Sequence, residues 1–305
     1  MASPFDVVTG AFGFSGSYIA RRLLASGHRV RTLTNHPRQP DPFGGMIEVA
    51  PLAFDSLDAL ARQLAGAATV FNTYWIRFPR GGATHDTAVA NVTALIEAAR
   101  RASVARFVHV SITNANPDSP LSYFRGKGVL ERRLADAGLS YAIIRPAVIY
   151  GPEDILLNNI AWTLRRFPMF AIPGDGSYRM QPIFVDDLAE LAITMGAASD
   201  NVAIDAIGPE TFTFNEIVAM LKRATGSRAI VVHLPPALAQ ALASIIGRVM
   251  GDVMLTRDEV RGLMGNLLAT NSPPAAPTKL SEWVARNADQ LGRRYASELG
   301  RRAPR

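Results

Sequence analysis

The stretch FDVVTGAFGFSGSYIARRLL, residues 5–24, narrows the choice of folds more than any other part of the chain. A short apolar run ends at Thr9, glycines follow at 10, 13 and 16, and Ile19, Leu23 and Leu24 then recur at helical spacing. Spaced glycines between a strand and a helix suit the receipt of a diphosphate. Gly10 permits the tight turn, Gly13 lets phosphate approach the backbone, and Gly16 lets the helix lie close to the sheet. The first-turn N–H groups and the positive end of the helix dipole then face the anion. The spacing is G-x-x-G-x-x-G rather than the commoner G-x-G-x-x-G, so the context of strand before and amphipathic helix after carries the argument. Phe12 and Phe14 lie inside the turn and join the cofactor-facing set. A purely structural glycine turn is the competing reading. Gly13-Phe14-Ser15-Gly16-Ser17 also resembles a nucleophile elbow, but its last position is serine, and a hydrolase is disfavoured.

Downstream, strand-like segments at 5–9, 29–34, 47–54, 69–74, 106–111 and 141–147 alternate with helical patterns at 16–26, 56–65, 83–101 and 123–137. Such alternation predicts an α/β fold, a Rossmann-type doubly wound parallel sheet with helices on both faces. After Tyr150-Gly151-Pro152 the rhythm breaks. The expectation is a dinucleotide-binding core over 1–150 and a smaller mixed α/β substrate lobe over 151–305. Within that lobe, a strand-helix unit at about 181–207 returns to the core sheet. Helices are expected at 155–166, 213–225, 235–251 and 256–267, with a strand at 229–233. The Pro-rich connector NSPPAAP (271–277) precedes a C-terminal amphipathic helix at about 279–302.

Composition removes several chemistries. The chain of 305 residues is 48% hydrophobic and 19% charged, as in a globular protein, and it contains no cysteine, which excludes thiolate catalysis and thiolate metal sites. Five histidines at 28, 36, 85, 109 and 233 form no H-x-x-x-H pair, so no metal site is expected. The N-terminus lacks the pattern of a signal peptide, and cytoplasmic residence is the expectation. Of the net charge of +6, residues 286–305 contribute +4 through six arginines against Asp289 and Glu298. The rest is nearly neutral, so nucleic acid is not expected as a partner. A docked C-terminal helix is the plain reading of the tail; peripheral membrane or anionic protein contact is the alternative.

Two further stretches bear on chemistry. The second strand runs into Thr34, Asn35, His36 and Arg38, with no carboxylate where a site for unphosphorylated ribose would want one. These groups can donate to a 2′-phosphate, which favours NADP(H) over NAD(H), unless Arg38 is only a solvated loop charge. Tyr123 and Lys127 stand four apart in SYFRGKGVLE, on one face of a helix. Only three of the 32 basic residues are lysines, so a lysine here, two residues after Arg125, stands out. Tyr123 packed on the sheet with Lys127 snorkelling is the other reading, since Leu130 and Leu134 continue the stripe.

Gly10/Gly13/Gly16, Asn91, Tyr123-x-x-x-Lys127, Arg145-Pro146 with Tyr150-Gly151-Pro152, and Val185-Asp186-Asp187-Leu188-Ala189 occur in the order seen in short-chain dehydrogenase/reductases. The chain resembles their extended and atypical branch: NAD-dependent epimerase/dehydratase-like, NmrA-like, and similar to the 39 kDa accessory subunit of respiratory complex I. The resemblance covers roughly residues 5–225. It implies an oxidoreductase that reduces a carbonyl or oxidises an alcohol, with a small-molecule substrate. Tyr123 would be the acid/base, Lys127 its activator and ribose ligand, and Ser111 the holder of the substrate oxygen, with Thr113 as alternative. Asp55 would meet adenine, or else cap the following helix, and Thr73 would lie beside the cofactor. Asn91 matches a helix residue that organises the active-site helix, or is a neutral surface asparagine. The bulky Asn72-Thr73-Tyr74-Trp75 departs from the small residues usual after the fourth strand. With the NmrA-like and complex I relatives, it opens a second reading: a catalytically silent NADP(H) binder acting as a redox sensor or assembly subunit.

Overall fold

The computed structural model describes residues 4–35, 41–252, 256–297 and 299–300, in the helix over 236–250 without the side chains of 245, 246 and 248–250. The first half follows the strand-helix alternation. It forms β1 (Phe5–Thr9), α1 (Phe14–Ala25), β2 (Arg29–Leu33), β3 (Ile47–Ala50), α2 (Leu57–Leu64) and β4 (Ala67–Asn72). Then come α3 (His85–Arg101), β5 (Arg106–Val110), α4 (Ser122–Ala135) and β6 (Tyr141–Pro146). The chain continues through β7 (Val148–Tyr150), α5 (Leu156–Arg166), β8 (Met169–Pro173), β9 (Arg179–Met180) and β10 (Pro182–Phe184). It then makes α6 (Val185–Ala197) and β11 (Val202–Ala206). Last are β12 (Phe212–Thr213), α7 (Phe214–Thr225), β13 (Ile230–Leu234), α8 (Pro236–Met250), α9 (Arg257–Met264) and α10 (Leu280–Asn287).

Among the described residues two compact units result, one up to Pro146 with Val185–Ala206, the other of Ala147–Phe184 with the described residues from Ile207 onward. The first is a seven-stranded sheet in the order β11-β6-β5-β4-β1-β2-β3, every pair parallel. This is the doubly wound Rossmann architecture, with the strand order reversing beside β1. On one face Leu60 and Leu64 of α2, Val92 and Leu95 of α3, and Leu130 and Leu134 of α4 are buried with Val70 and Phe107 of the sheet. Each such side chain contributes roughly 1.5–3 kcal/mol of burial. On α1, Arg22 grips Asp186 of α6 through two hydrogen bonds of 2.7 and 2.8 Å. The strand expected to run to 54 stops at Ala50, because Pro51 has no N–H for the ladder and the Asn35 side chain takes both backbone groups of Leu52.

The second unit holds small ribbons, β10 parallel to β7, β13 parallel to β8 and β12 antiparallel to β9. Its core gathers Tyr150, Leu157, Ile217, Leu221 and Trp283. The C-terminal helix expected to reach about 302 ends at Asn287. Five residues further on Gly292 bars a longer helix: its φ of +71° leaves the helical region, and a Cβ there would stand 2.4 Å from the Trp162 amide. Beyond Asn287 the backbone is satisfied from α5 instead, with Arg165 donating to Ala288 and Leu291 carbonyls and Asn159 pairing with Ala296. Among the described residues no helix is long and apolar enough to cross a membrane.

Candidate functional site

The glycine turn joins β1 to α1 with little room to spare. Gly10 has φ +74°, and a Cβ on Gly16 would sit 2.3 Å from the Gly10 carbonyl oxygen, so residue 16 must lack a side chain for α1 to start where it does. Thr73, after β4, donates to the Thr9 carbonyl at 2.5 Å, and the Ala11 amide donates to Thr32, fastening the turn from both sides. No side chain caps α1 and no carboxylate stands in its first turn, so its N-terminal dipole faces outward unneutralised, as an anion site requires. Phe12 is drawn aside against Phe43, 5.8 Å between ring centres, and Phe14 meets Tyr18 edge-on.

At the end of β2, the Thr34 amide donates to Ala50, and Asn35 is a backbone clamp on Leu52 rather than a donor toward a ligand. His36 and Arg38 lie outside the described residues. Asp55 is exposed in the turn before α2, and the helix is capped by Ser56, which accepts from the Ala59 amide; the capping alternative for Asp55 does not hold.

The other cluster surrounds the N-terminal half of α4. Tyr123, half-buried, meets Trp75 edge-on at 5.7 Å and His85 at 5.6 Å, while Trp75 and His85 stack with 4° between their planes. Gly126 makes this possible, since a Cβ there would stand 2.8 Å from the Trp75 ring. Lys127 is 2% exposed. Its Nζ donates to the Val110 carbonyl at 2.7 Å and lies 4.5 Å from the centre of the Trp75 ring. Burial lowers its pKa to about 7, against a smaller upward pull from Glu131.

Ser111 is held elsewhere. Its hydroxyl donates to Glu131 at 2.5 Å, and Arg145 grips the same carboxylate with contacts of 2.5–3.1 Å. Glu131 lies two helical turns beyond Tyr123, about 12 Å along the axis. Thr113 is fully buried and its amide donates to Pro146. Asn91 donates to the Tyr74 hydroxyl at 2.9 Å. Beneath them, Thr9 donates to Asn72, which donates to His109 Nδ1, leaving the ring proton on Nε2. Burial, and then Lys127, keep this imidazole neutral, well below its usual value.

Of the residues expected at the site, the glycines and Thr73 lie at the β1 and β4 ends and Tyr123 and Lys127 lie on one side of α4, while Glu131, His85 and His109 beside them were not among those expected. Glu131 had a signal, being the next turn of the Tyr123/Lys127 stripe; the two histidines had none. Among the described residues no group of three or more His, Asp or Glu side chains could hold a metal. In the second unit an open cavity of about 460 Å³ is lined by Gly174, Asp175, Asn215, His233, Leu234 and Pro235, none of them an expected site residue.

A family profile described as NAD(P)H-binding matches residues 10–157. Subunit 9 of the mitochondrial NADH dehydrogenase [ubiquinone] 1 alpha subcomplex of Arabidopsis thaliana is 27% identical over 249 residues, 78% of this chain; the chain spans 62% of that protein, just under two thirds. A ceramide reductase of Caulobacter vibrioides is 29% identical over 236 residues, 75% of this chain and 73% of that one. The fold superposes on the Escherichia coli NADPH-dependent quinone oxidoreductase QOR2, solved with NADPH, with a TM-score of 0.75 over 92% of this chain and 99% of that one, at 20% identity.

Proposed function

Since the chain belongs to the short-chain dehydrogenase/reductase superfamily, in its extended and atypical branch, we propose that it binds NADP(H) in the first unit and retains it without turnover. It would serve as a cofactor-holding subunit of a larger assembly. The burial of Lys127 carries this reading. A lysine that holds the nicotinamide ribose and lowers a phenol's pKa must meet both, yet this ammonium points to the Val110 carbonyl and lies under Trp75. The Ser111 hydroxyl is engaged by Glu131, which supports the same reading. The naming of the Arabidopsis relative as a subunit of NADH dehydrogenase supports the assembly role. The absence of a carboxylate at Thr34 and Asn35 supports NADP(H) over NAD(H).

Calorimetric titration tests the proposal. NADPH is expected to bind more tightly than NADH, with Arg38→Ala weakening NADPH about tenfold, as for loss of one charge-assisted contact. No NADPH is expected to be consumed across a panel of aldehydes, ketones and quinones. Preference for NADH would overturn the cofactor assignment. Steady consumption that disappears in Tyr123→Phe would replace the proposal with a second reading, a carbonyl reductase with Tyr123 as acid/base. One observation favours that second reading: the ammonium four residues from the tyrosine titrates at about 7, within reach of working pH. The Caulobacter relative, named as a reductase, fits it too.

A further inference from the structure

Three separate segments of the second unit converge at Arg165 and Arg166. Arg165 donates to the carbonyls of Ala288 and Leu291 and to that of Thr225; Arg166 donates to those of Gly292 and Arg293. Ser227 donates to the Leu164 carbonyl, and the Ile230 amide to Pro168. Residues 162–170, 221–230 and 288–295 are thereby drawn to one place.

Their charge is one-sided. The three segments carry Arg165, Arg166, Lys222, Arg223, Arg228, Arg293 and Arg294, seven cations, against Asp289 alone, whereas the whole chain has 32 basic and 26 acidic residues. Arg166, Arg223, Arg228, Arg293 and Arg294 are exposed. Large apolar side chains stand among them: Phe167 is 38%, Met169 53% and Ile230 64% exposed. Met169 and Ile230 are register partners on parallel strands, so their side chains leave the ribbon on the same face. A polyanion such as nucleic acid would be met by the cations alone and gives no use to bare Met169 and Ile230. An anionic bilayer uses both kinds of group, its headgroups meeting the guanidinium groups and its acyl boundary the apolar tips.

We propose that the face formed by Phe167–Met169, Arg228–Ile230 and Arg293–Arg294 docks on an anionic lipid surface. The occupant follows from charge complementarity together with the interleaved apolar residues, independently of whether the first unit turns over its cofactor.

Co-sedimentation of the full chain with vesicles of equal parts phosphatidylglycerol and phosphatidylcholine tests it. Wild type is expected to sediment with these vesicles, to stay in solution with phosphatidylcholine alone, and to be released by salt at about 0.5 M. Arg228→Ser with Arg294→Ser should weaken partitioning about 25-fold, near fivefold for each arginine. Met169→Ser with Ile230→Ser should weaken it at least about tenfold. All four side chains belong to exposed residues, so the unfolding midpoints of both variants should stay at the wild-type value, which confirms that binding and not folding is read. Failure of wild type to sediment overturns the proposal, as does sedimentation unchanged in both variants. If only the arginine pair matters and heparin is bound as tightly by the Met169/Ile230 variant as by wild type, the face serves a soluble polyanion and the lipid assignment is wrong.

Discussion

At the turn after β1 the chain supplies small residues and leaves the helix end uncapped; around the start of α4 it supplies large aromatics and engages the polar groups. Gly16 could not carry even a methyl group without striking the Gly10 carbonyl, while Gly126 is small only to admit an indole. In one place side chains are absent, in the other aromatic rings fill the space. The difference teaches that binding and turnover are separable demands on a single sheet edge. Phosphate recognition needs bare backbone, which few substitutions preserve. Under the proposed reading, acid/base chemistry would call on the Lys127 ammonium and the Ser111 hydroxyl, which here meet Trp75 and Glu131.

Breaking the first region should have the largest effect. Gly16→Val would force the turn apart or move α1, and NADPH affinity measured by calorimetry should fall by at least about 100-fold, in line with loss of the close backbone approach. Retained affinity would mean that the dinucleotide does not rest on this turn. Breaking the second region should instead cost stability. Glu131→Ala leaves the Arg145 guanidinium without its carboxylate, and urea unfolding should show a loss of about 2 kcal/mol. That figure lies below the range for fully buried pairs because the Arg145 side chain keeps about a third of its surface in solvent. NADPH affinity should change little.

The most discriminating effect is one of pH. The Lys127 pKa is depressed in the folded protein, from near 10.5 to about 7, so between those values the unfolded chain binds more protons than the folded one. Its contribution to stability therefore rises as pH rises from 7 to 10.5 and is least favourable below 7. The stability of Lys127→Met relative to wild type should accordingly be highest at about pH 6 and fall toward pH 10. Urea midpoints measured across this range would show it, and a difference independent of pH would mean that the ammonium is solvated.

The elements of the first unit were legible because their signals are local. Periodicity and a glycine turn place β1 and α1 within a residue or two, and the same holds for β2, β4, β5 and β6; β3 was read four residues too long, across Pro51. The contents of the α4 cluster were not legible, because Trp75 reaches Lys127 across more than fifty positions of sequence and nothing in NTYW says which way its indole turns. Ser111 was read from its strand end, which fixes where the backbone is but not where the hydroxyl points. The C-terminal helix failed for a different reason. Its apolar stripe continues through Leu291 and Tyr295, which are used, but as a turn packed on α5; only Gly292 marked the break, and its left-handed backbone is imposed by that packing.

The seventh strand has an effect on how the protein is made. β11 pairs with β6 from Val202↔Ala142 to Ala206↔Pro146, yet the ribosome delivers it only after all of Ala147–Phe184 has emerged. Until then β6 is an open sheet edge rich in isoleucine, able to pair with whatever strand comes near. A fragment cut at residue 150 keeps that edge permanently, and a self-sufficient dinucleotide-binding piece would have to be stitched from Met1–Pro146 and Val185–Ala206 across a short linker.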